Sequence, residues 1–357
     1  MTVSRETGST SVLSRPHDQG IAGARLSSTT NYRSLARVFL LRLCVAVTLA
    51  LIFVVGMEMY AYRRGVENQH TMGPEVEAEV VQGNDEERQY WKEQRPSQKL
   101  QYEPYVLWRR APFNGKAISI NADGIRRTLH THCDAANFTV WMFGDSVMWG
   151  WGSPDSETIP SLVAADYERA GRHVCIVNYG EKGWANTQEL FALVQQLKHA
   201  DRKPDAVLFY DGGTEAFTAY ENKQVDVHSN YLEFRNYLEG WITEKKSGFS
   251  YLSRSNTYRL LKNMAARVSP PAQGSDNPSE RDAQTWARAI MQNYQENMDI
   301  IELLAKQYSF RPIFVWYPNM AVGQKQLTPE EAELRGRLEK KFPGLDRVYR
   351  AAYEKCR

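Results

Sequence analysis

The sequence predicts an α/β protein, a parallel sheet with helices on both faces, preceded by one membrane-spanning helix. Three observations carry this. Four short runs rich in apolar, β-branched and aromatic residues stand at 137–143 (NFTVWMF), 173–179 (HVCIVNY), 205–210 (DAVLFY) and 312–317 (PIFVWY); runs of this length bounded by polar, Gly or Pro residues read as fully buried strands. Helix-like stretches separate them, and a strand–helix–strand–helix order favours a parallel sheet whose ligands sit at the carboxyl ends of the strands. A charge-free run, LCVAVTLALIFVVGM at 43–57, lies near the N-terminus.

In chain order, residues 1–35 are rich in Ser, Thr, Gly and Arg and read as a disordered cytoplasmic tail. The flanking ARVFLL and EMYAYRR extend the apolar run to a bilayer-spanning length, giving an anchor at 36–62 with Tyr60 and Tyr62 suited to the interface. A cleaved signal peptide is the rival reading, but the run is long for one and no A-x-A site follows it. Arg5, Arg15, Arg25, Arg33, Arg37 and Arg42 precede the apolar core, whereas Arg63 and Arg64 are soon followed by EVEAEVVQGNDEE. Basic residues stay inside, so the domain beyond residue 63 is expected outside, periplasmic if the source is bacterial. Residues 63–100 are charged, with few periodic apolar positions, and read as a linker to an α/β domain at 101–357.

Within that domain, TIPSLVAADYERAG supplies a helix between the first two strands. NTQELFALVQQLKHA supplies the next, with Asn186 as N-cap and Glu189 at capping-box spacing. An insertion at about 217–310 separates the third and fourth strands. Ala287, Ile290, Tyr294, Ile301, Leu304 and Tyr308 follow a helical stripe there, and SPPAQGSDNPSE reads as an exposed loop. The aromatic-heavy part from NYLEFRNYLEGWI to SYLSRSNTYRLL either caps the strand ends or forms a helical layer away from any substrate.

Composition narrows the function classes. Of 357 residues, 42% are hydrophobic and 24% charged, and 44 basic against 42 acidic side chains leave a net charge of +2, so no field attracts a polyanion and nucleic acid is not an expected partner. Cys44, Cys133, Cys175 and Cys356 lack the close pair spacings of metal or redox sites, and no structural metal is expected. Cys44 and Cys175 read as small buried hydrophobes; Cys133 and Cys356 can pair in an oxidising compartment. GDSVMWGWG does not fit the dinucleotide G-x-G-x-x-G spacing and no basic residue accompanies it, so no cofactor is expected.

The chemistry concentrates at the strand ends. The first strand is followed by Gly144-Asp145-Ser146, the second by NYGEKGW with Gly180 and Gly183, and the third by DGGTE with Gly212, Gly213, Thr214 and Glu215. A lone turn serine is usually a cap, but neighbouring strands bring these three turns side by side. Acyl transfer needs a serine hydroxyl and donors aimed at the oxygen that becomes negative. The Ser146 amide, the Gly183 amide and the Thr214 hydroxyl offer them.

FGDSVMWGWG, NYGEKGW and YDGGTE together resemble the first three blocks of the SGNH, or GDSL-like, hydrolases, and the upstream SINADGIRRT, with Asn121, Gly124 and Arg126, is similar to the lead-in of bacterial members. The likeness runs from about residue 101 to the end. It implies a three-layer α/β/α sandwich with a flavodoxin-like parallel sheet, Ser146 as nucleophile and Gly183 with Thr214 at the oxyanion hole. Gly144 and Asp145 shape the turn that binds the ester. It also implies a substrate that is an ester- or acetyl-bearing small molecule, glycan or lipid.

Two departures stand out. Thr214 occupies the place of an asparagine, and the last block, Asp-x-x-His, has no counterpart after the fourth strand. The histidines are His17, His70, His130, His132, His173, His199 and His228. His130, His132 and His173 fall at the wrong end of the sheet, His199 ends a helix, and His228 alone can swing over the strand ends. A serine without a base is a poor nucleophile. The expectation is therefore a membrane-anchored serine ester hydrolase or acyl-transfer protein whose sequence stops short of its last block; the alternative is a binding protein that keeps the pocket and lacks the base.

Overall fold

The computed structural model describes residues 28–68, 85–243, 255–258, 260, 261, 264 and 277–356. The N-terminal tail to residue 27, the linker at 69–84, half of the segment SYLSRSNTYRLL and most of SPPAQGSDNPSE lie outside the described residues.

The chain divides into two units, residues 1–63 and 64–357. In the first, helix α1 (Ser28–Asn68) begins. Its stretch Leu35–Arg63 has mean hydropathy 2.8 in its most apolar window and is long and apolar enough to cross a membrane.

The second unit is an α/β domain. Helix α2 (Asp85–Gln94) leads into β1 (Leu100–Glu103) and β2 (Leu107–Arg110), an antiparallel pair, and then the short hairpin of β3 (Phe113–Asn114) and β4 (Ser119–Ile120). Part of the segment read as linker is therefore folded. The physical reason is Tyr90, fully enclosed beside Ile118, Ile120 and Trp149, with its hydroxyl accepting the Gly152 amide at 2.7 Å. One buried ring anchors an otherwise charged helix, and periodicity does not register it.

The main sheet holds β5 (Phe138–Gly144), β6 (Val174–Asn178), β7 (Ala206–Asp211) and β8 (Arg311–Trp316), all parallel, in the order β6-β5-β7-β8. Alternate residues of β5 serve opposite faces. Trp141 and Phe143 join Leu190, Leu193 and Leu197 of α5 (Asn186–His199) and Ile301 and Ala305 of α8 (Glu280–Tyr308). Val140 and Met142 join Ala164 of α4 (Ile159–Arg169) on the other face. This is a three-layer α/β/α arrangement, and the four predicted strands end within a residue or two of their expected limits.

Helix α6 (Gly213–Asn222) follows β7, and α7 (Tyr231–Thr243) follows it. The last helices are α9 (Pro329–Lys341) and α10 (Leu345–Cys356). Val348, Ala351 and Ala352 of α10 pack with Ala216 and Ala219 of α6 and Ala283 and Ala287 of α8; alanines let these helices approach closely.

Cys44 of α1 is exposed and not buried, and two sequence expectations in the α/β domain are corrected. Cys175 is not a plain buried hydrophobe: it is joined to Cys133 by a disulfide, and Cys356 is free and exposed. The segment carrying Cys133 runs beside the start of β6, where the His132 amide donates to the Val174 carbonyl at 3.0 Å, so the thiols meet there and not at the chain's end. Asn186 is the first residue of α5 and does not cap it; its side-chain amide donates to Asp211 at 2.9 Å, and Glu189 is drawn into the interior beside it.

Candidate functional site

β5 ends at Gly144 and the chain turns at once into the one-turn helix α3 (Ser146–Trp149). A side chain at 144 has no room: a Cβ would stand 2.6 Å from the Met148 Cβ and 2.8 Å from the Tyr210 carbonyl. Asp145 caps α3 by accepting the Val147 amide at 2.9 Å. The Trp151 amide returns to the Ser146 carbonyl at 2.9 Å, closing the turn. Ser146 is left half-buried, its hydroxyl and its amide without a hydrogen-bond partner among the described residues.

Asp145 joins three strand ends. Its Oδ2 accepts the Thr214 hydroxyl at 2.8 Å, the Thr214 amide at 3.2 Å and the Tyr317 hydroxyl at 2.6 Å. Burial pushes its pKa up against the pull of these donors. Thr214 thus stands beside Ser146 as expected, but its proton is committed to Asp145 and is not aimed at the space over the serine.

The turn after β6 is stitched to the first by the Glu181 amide, which donates to the Gly144 carbonyl at 3.0 Å. The Glu181 carboxylate is fully buried; it accepts the Arg110 and Lys182 amides, each at 2.9 Å, and faces the Arg110 guanidinium at 3.6 Å. Gly183 follows with φ +80°, a backbone state that favours glycine. The Ser229 hydroxyl fixes its carbonyl at 2.7 Å, and its amide, like that of Ser146, has no acceptor among the described residues.

Beneath the turn after β7 lies a set of buried carboxyl groups. Glu215 accepts the Gly212 amide at 2.8 Å and the Asn186 amide at 3.0 Å. Burial and the Asp145 charge raise it to about 7. Burial, with mutual repulsion added, holds Glu189 and Asp211 well above the usual carboxylate range.

Arg126, which the sequence marked only as part of a turn, fixes the exit of α3 from below. Fully enclosed, it donates to Asp155 at 2.9 Å and to the carbonyls of Trp149 at 2.9 Å, Gly150 at 2.7 Å and Ser153 at 2.6 Å.

These turns open into one cavity of about 770 Å³, lined by Asp145, Ser146, Lys182, Gly183, Gly213, Thr214 and Tyr317, with Trp108, Phe217, Phe234 and Tyr349 among the aromatic walls. Ser146, Gly183 and Thr214 are thus brought together. Phe234 of α7 and the preceding Ser229 and Asn230 complete one side, so the start of the insertion reaches the cavity.

No described histidine lines it. His130 and His132 both reach Glu168 at 2.8 Å, at the far end of the sheet, where the His173 ring meets that of His132 at 4.7 Å. His199 closes α5. His228 sits in the α6–α7 loop against Trp108 and Phe234, its Nδ1 donating to the Ser229 carbonyl at 2.8 Å. Sequence reasoning missed Lys182, Tyr317 and the buried carboxyl set. Lys182 lay in plain sight next to Gly183 in NYGEKGW, and Asp211 and Glu215 in the DGGTE turn, where their burial was not foreseen; nothing in the local pattern of Tyr317 or Glu189 points to the site.

No protein-family model matches the chain, and no curated protein sequence does either. Solved structures similar to it in part include the following three. A crystal structure of AlinE4, an SGNH-hydrolase family esterase, is 13% identical with a TM-score of 0.24 over 57% of this chain and 93% of that one. A member of the lipolytic protein G-D-S-L family from Veillonella parvula DSM 2008 is 15% identical with a TM-score of 0.24, over 60% and 94%. LAE5, an alpha/beta hydrolase enzyme from the metagenome of Lake Arreo, is 15% identical with a TM-score of 0.25, over 60% and 97%. Likeness at this level assigns no activity to this chain.

Proposed function

We propose that this protein is a membrane-anchored serine ester hydrolase or acyl-transfer protein, with Ser146 as nucleophile, acting outside the cytoplasm on ester- or acetyl-bearing glycans or lipids. One observation carries the reading: a half-buried serine hydroxyl shares a cavity with the amides of Ser146 and Gly183, all three without a hydrogen-bond partner among the described residues. A tetrahedral oxyanion over Ser146 needs such donors, and losing one costs about 10²- to 10³-fold in turnover in well-studied enzymes. Thr214 enters this scheme through Asp145, as a support for the turn. The Cys133–Cys175 disulfide suits an oxidising compartment, in keeping with an extracytoplasmic domain.

A fluorophosphonate probe tests the nucleophile. Full-length protein in detergent is expected to be labelled at Ser146 and Ser146→Ala to remain unlabelled; absence of labelling between pH 6 and 10 overturns the reading. The rival, a binding protein with an idle serine, draws on the lack of a described histidine at the cavity and predicts that outcome, with ligand affinity unchanged in Ser146→Ala.

A further inference from the structure

A serine nucleophile requires a proton acceptor, and the described histidines do not supply one at this cavity. Lysine is another side chain that can act as base near neutral pH, provided its surroundings favour the neutral amine. Lys182 is the one lysine among the residues lining the cavity with Ser146.

Its position follows from the pairing of β5 and β6. Glu181 donates its amide to the Gly144 carbonyl, so Lys182 is one residue beyond this bond and Ser146 two residues beyond it on the neighbouring turn. The Lys182 stem runs toward the serine turn: Nζ lies 3.4 Å from the centre of the Trp151 ring, and the Trp151 amide is itself bonded to the Ser146 carbonyl. Among the described residues, nothing charged pairs with Nζ. The adjacent Glu181 carboxylate is turned inward, held by two backbone amides and by Arg110.

We propose that Lys182 is the general base of Ser146, the two forming a serine–lysine dyad in place of a histidine-based site. The inference rests on Ser146 being the nucleophile. Swinging from the face of Trp151, neutral Nζ takes the Ser146 Oγ proton as Oγ bonds to the ester carbonyl carbon. The resulting ammonium returns that proton to the leaving alkoxide as the carbon–oxygen bond breaks, leaving an acyl-serine and free alcohol. Water then gives one proton to Nζ as its oxygen attacks the acyl carbon, and Ser146 leaves with that proton; ester and water become acid and alcohol. An acceptor hydroxyl in place of water gives acyl transfer by the same steps.

The electrostatics agree with this role. Burial, and next the positive Arg110 of β2, draw the Lys182 amine down to about 8 against the opposing pull of Glu181. The other ionisable groups at the cavity are Asp145 from the end of β5, Glu221 from α6, and Tyr102, Tyr317 and Tyr349; Asp145 is fully engaged by its four donors.

The test uses full-length protein in detergent, with fluorophosphonate labelling and p-nitrophenyl acetate hydrolysis read from pH 6 to 10. Wild type is expected to react with a midpoint near 8. Lys182→Met and Lys182→Arg should both fall about 10²- to 10⁴-fold, although arginine keeps the charge and the aromatic contact. Lys182→Cys should recover on alkylation with 2-bromoethylamine, which restores an amine of nearly the same length. Melting temperatures of the variants within a few degrees of wild type separate lost chemistry from lost fold. Unchanged rate and pH profile in Lys182→Arg or Lys182→Met overturn the base while leaving Ser146 in place. Loss of the reaction in His228→Ala, with Lys182→Arg active, overturns it in favour of histidine. No labelling of wild type, or equal labelling of Ser146→Ala, removes the serine and the dyad together.

Discussion

At the scale of single residues, the serine turn is held by two buried groups with fixed partners, Asp145 and Arg126. Thr214→Val keeps shape but withdraws the hydroxyl from Asp145, a carboxylate 2% exposed; leaving part of a buried charge unsatisfied costs about 1–3 kcal/mol. Urea denaturation should show that loss, along with slower fluorophosphonate labelling as the Ser146 turn loosens. Arg126→Leu is the harsher change, since it strands Asp155 with only Arg127 and the Ser119 amide. Breaking such a pair from one side costs about 3–5 kcal/mol, so the urea midpoint should fall well below that of Thr214→Val; equal midpoints would mean that Arg127 takes over. Ser146, Gly144 and Gly183 were legible in the sequence because a tight turn at a strand end restricts residue type. Tyr317 was not, because it reaches Asp145 across 172 positions of chain and no local pattern encodes that.

At the scale of elements, the strands were readable because a parallel strand covered on both faces must be apolar along its whole length. The start of α5 was misread for the opposite reason: Asn186 and Glu189 look like caps, yet Asp211 and Glu215 turn them inward. This junction of α5, β7 and α6 has a signature in pH. Glu215, Glu189 and Asp211 all titrate above their ordinary values when folded, so the folded state binds more protons than the unfolded chain. Their contribution to stability is complete below the unfolded carboxyl range, near 4.5, and declines as pH rises through about 7. Thermal melts should show Glu189→Gln, a neutral mimic of the protonated acid, gaining on wild type from pH 5 to pH 8; a constant difference across that range would mean Glu189 is ionised throughout. The Cys133–Cys175 bridge acts at the opposite end of the sheet, where it ties the segment before β5 to the start of β6. It closes a loop with a sequence separation of 42, for which chain entropy gives about 4 kcal/mol, so Cys133→Ser with Cys175→Ser should unfold at markedly lower urea. Cys356→Ser should leave the midpoint unchanged.

For the whole molecule, the question is where the domain works, and the N-terminal sequence supplies a physical answer. An apolar helix covering Leu35–Arg63, with its arginines gathered mainly before it, is expected to insert with those arginines inside, because moving them across the bilayer is the costlier outcome. The disulfide agrees, since thiols on the cytoplasmic side stay reduced in most cells. If both hold, protein carrying an N-terminal epitope should stay in the membrane pellet after alkaline carbonate washing, keep its epitope, and lose the 64–357 domain to protease added outside intact spheroplasts. Non-reducing gels of the same preparation should show Cys133 and Cys175 blocked to thiol reagents. Release of an epitope-free domain into the soluble fraction would identify the helix as a cleaved signal, and a domain protected from outside protease with free thiols would reverse the orientation. Each reversed result also limits the chemistry, because an ester hydrolase facing the cytoplasm meets neither envelope glycans nor the outer lipid leaflet, and the substrate of Ser146 would then be sought among soluble esters.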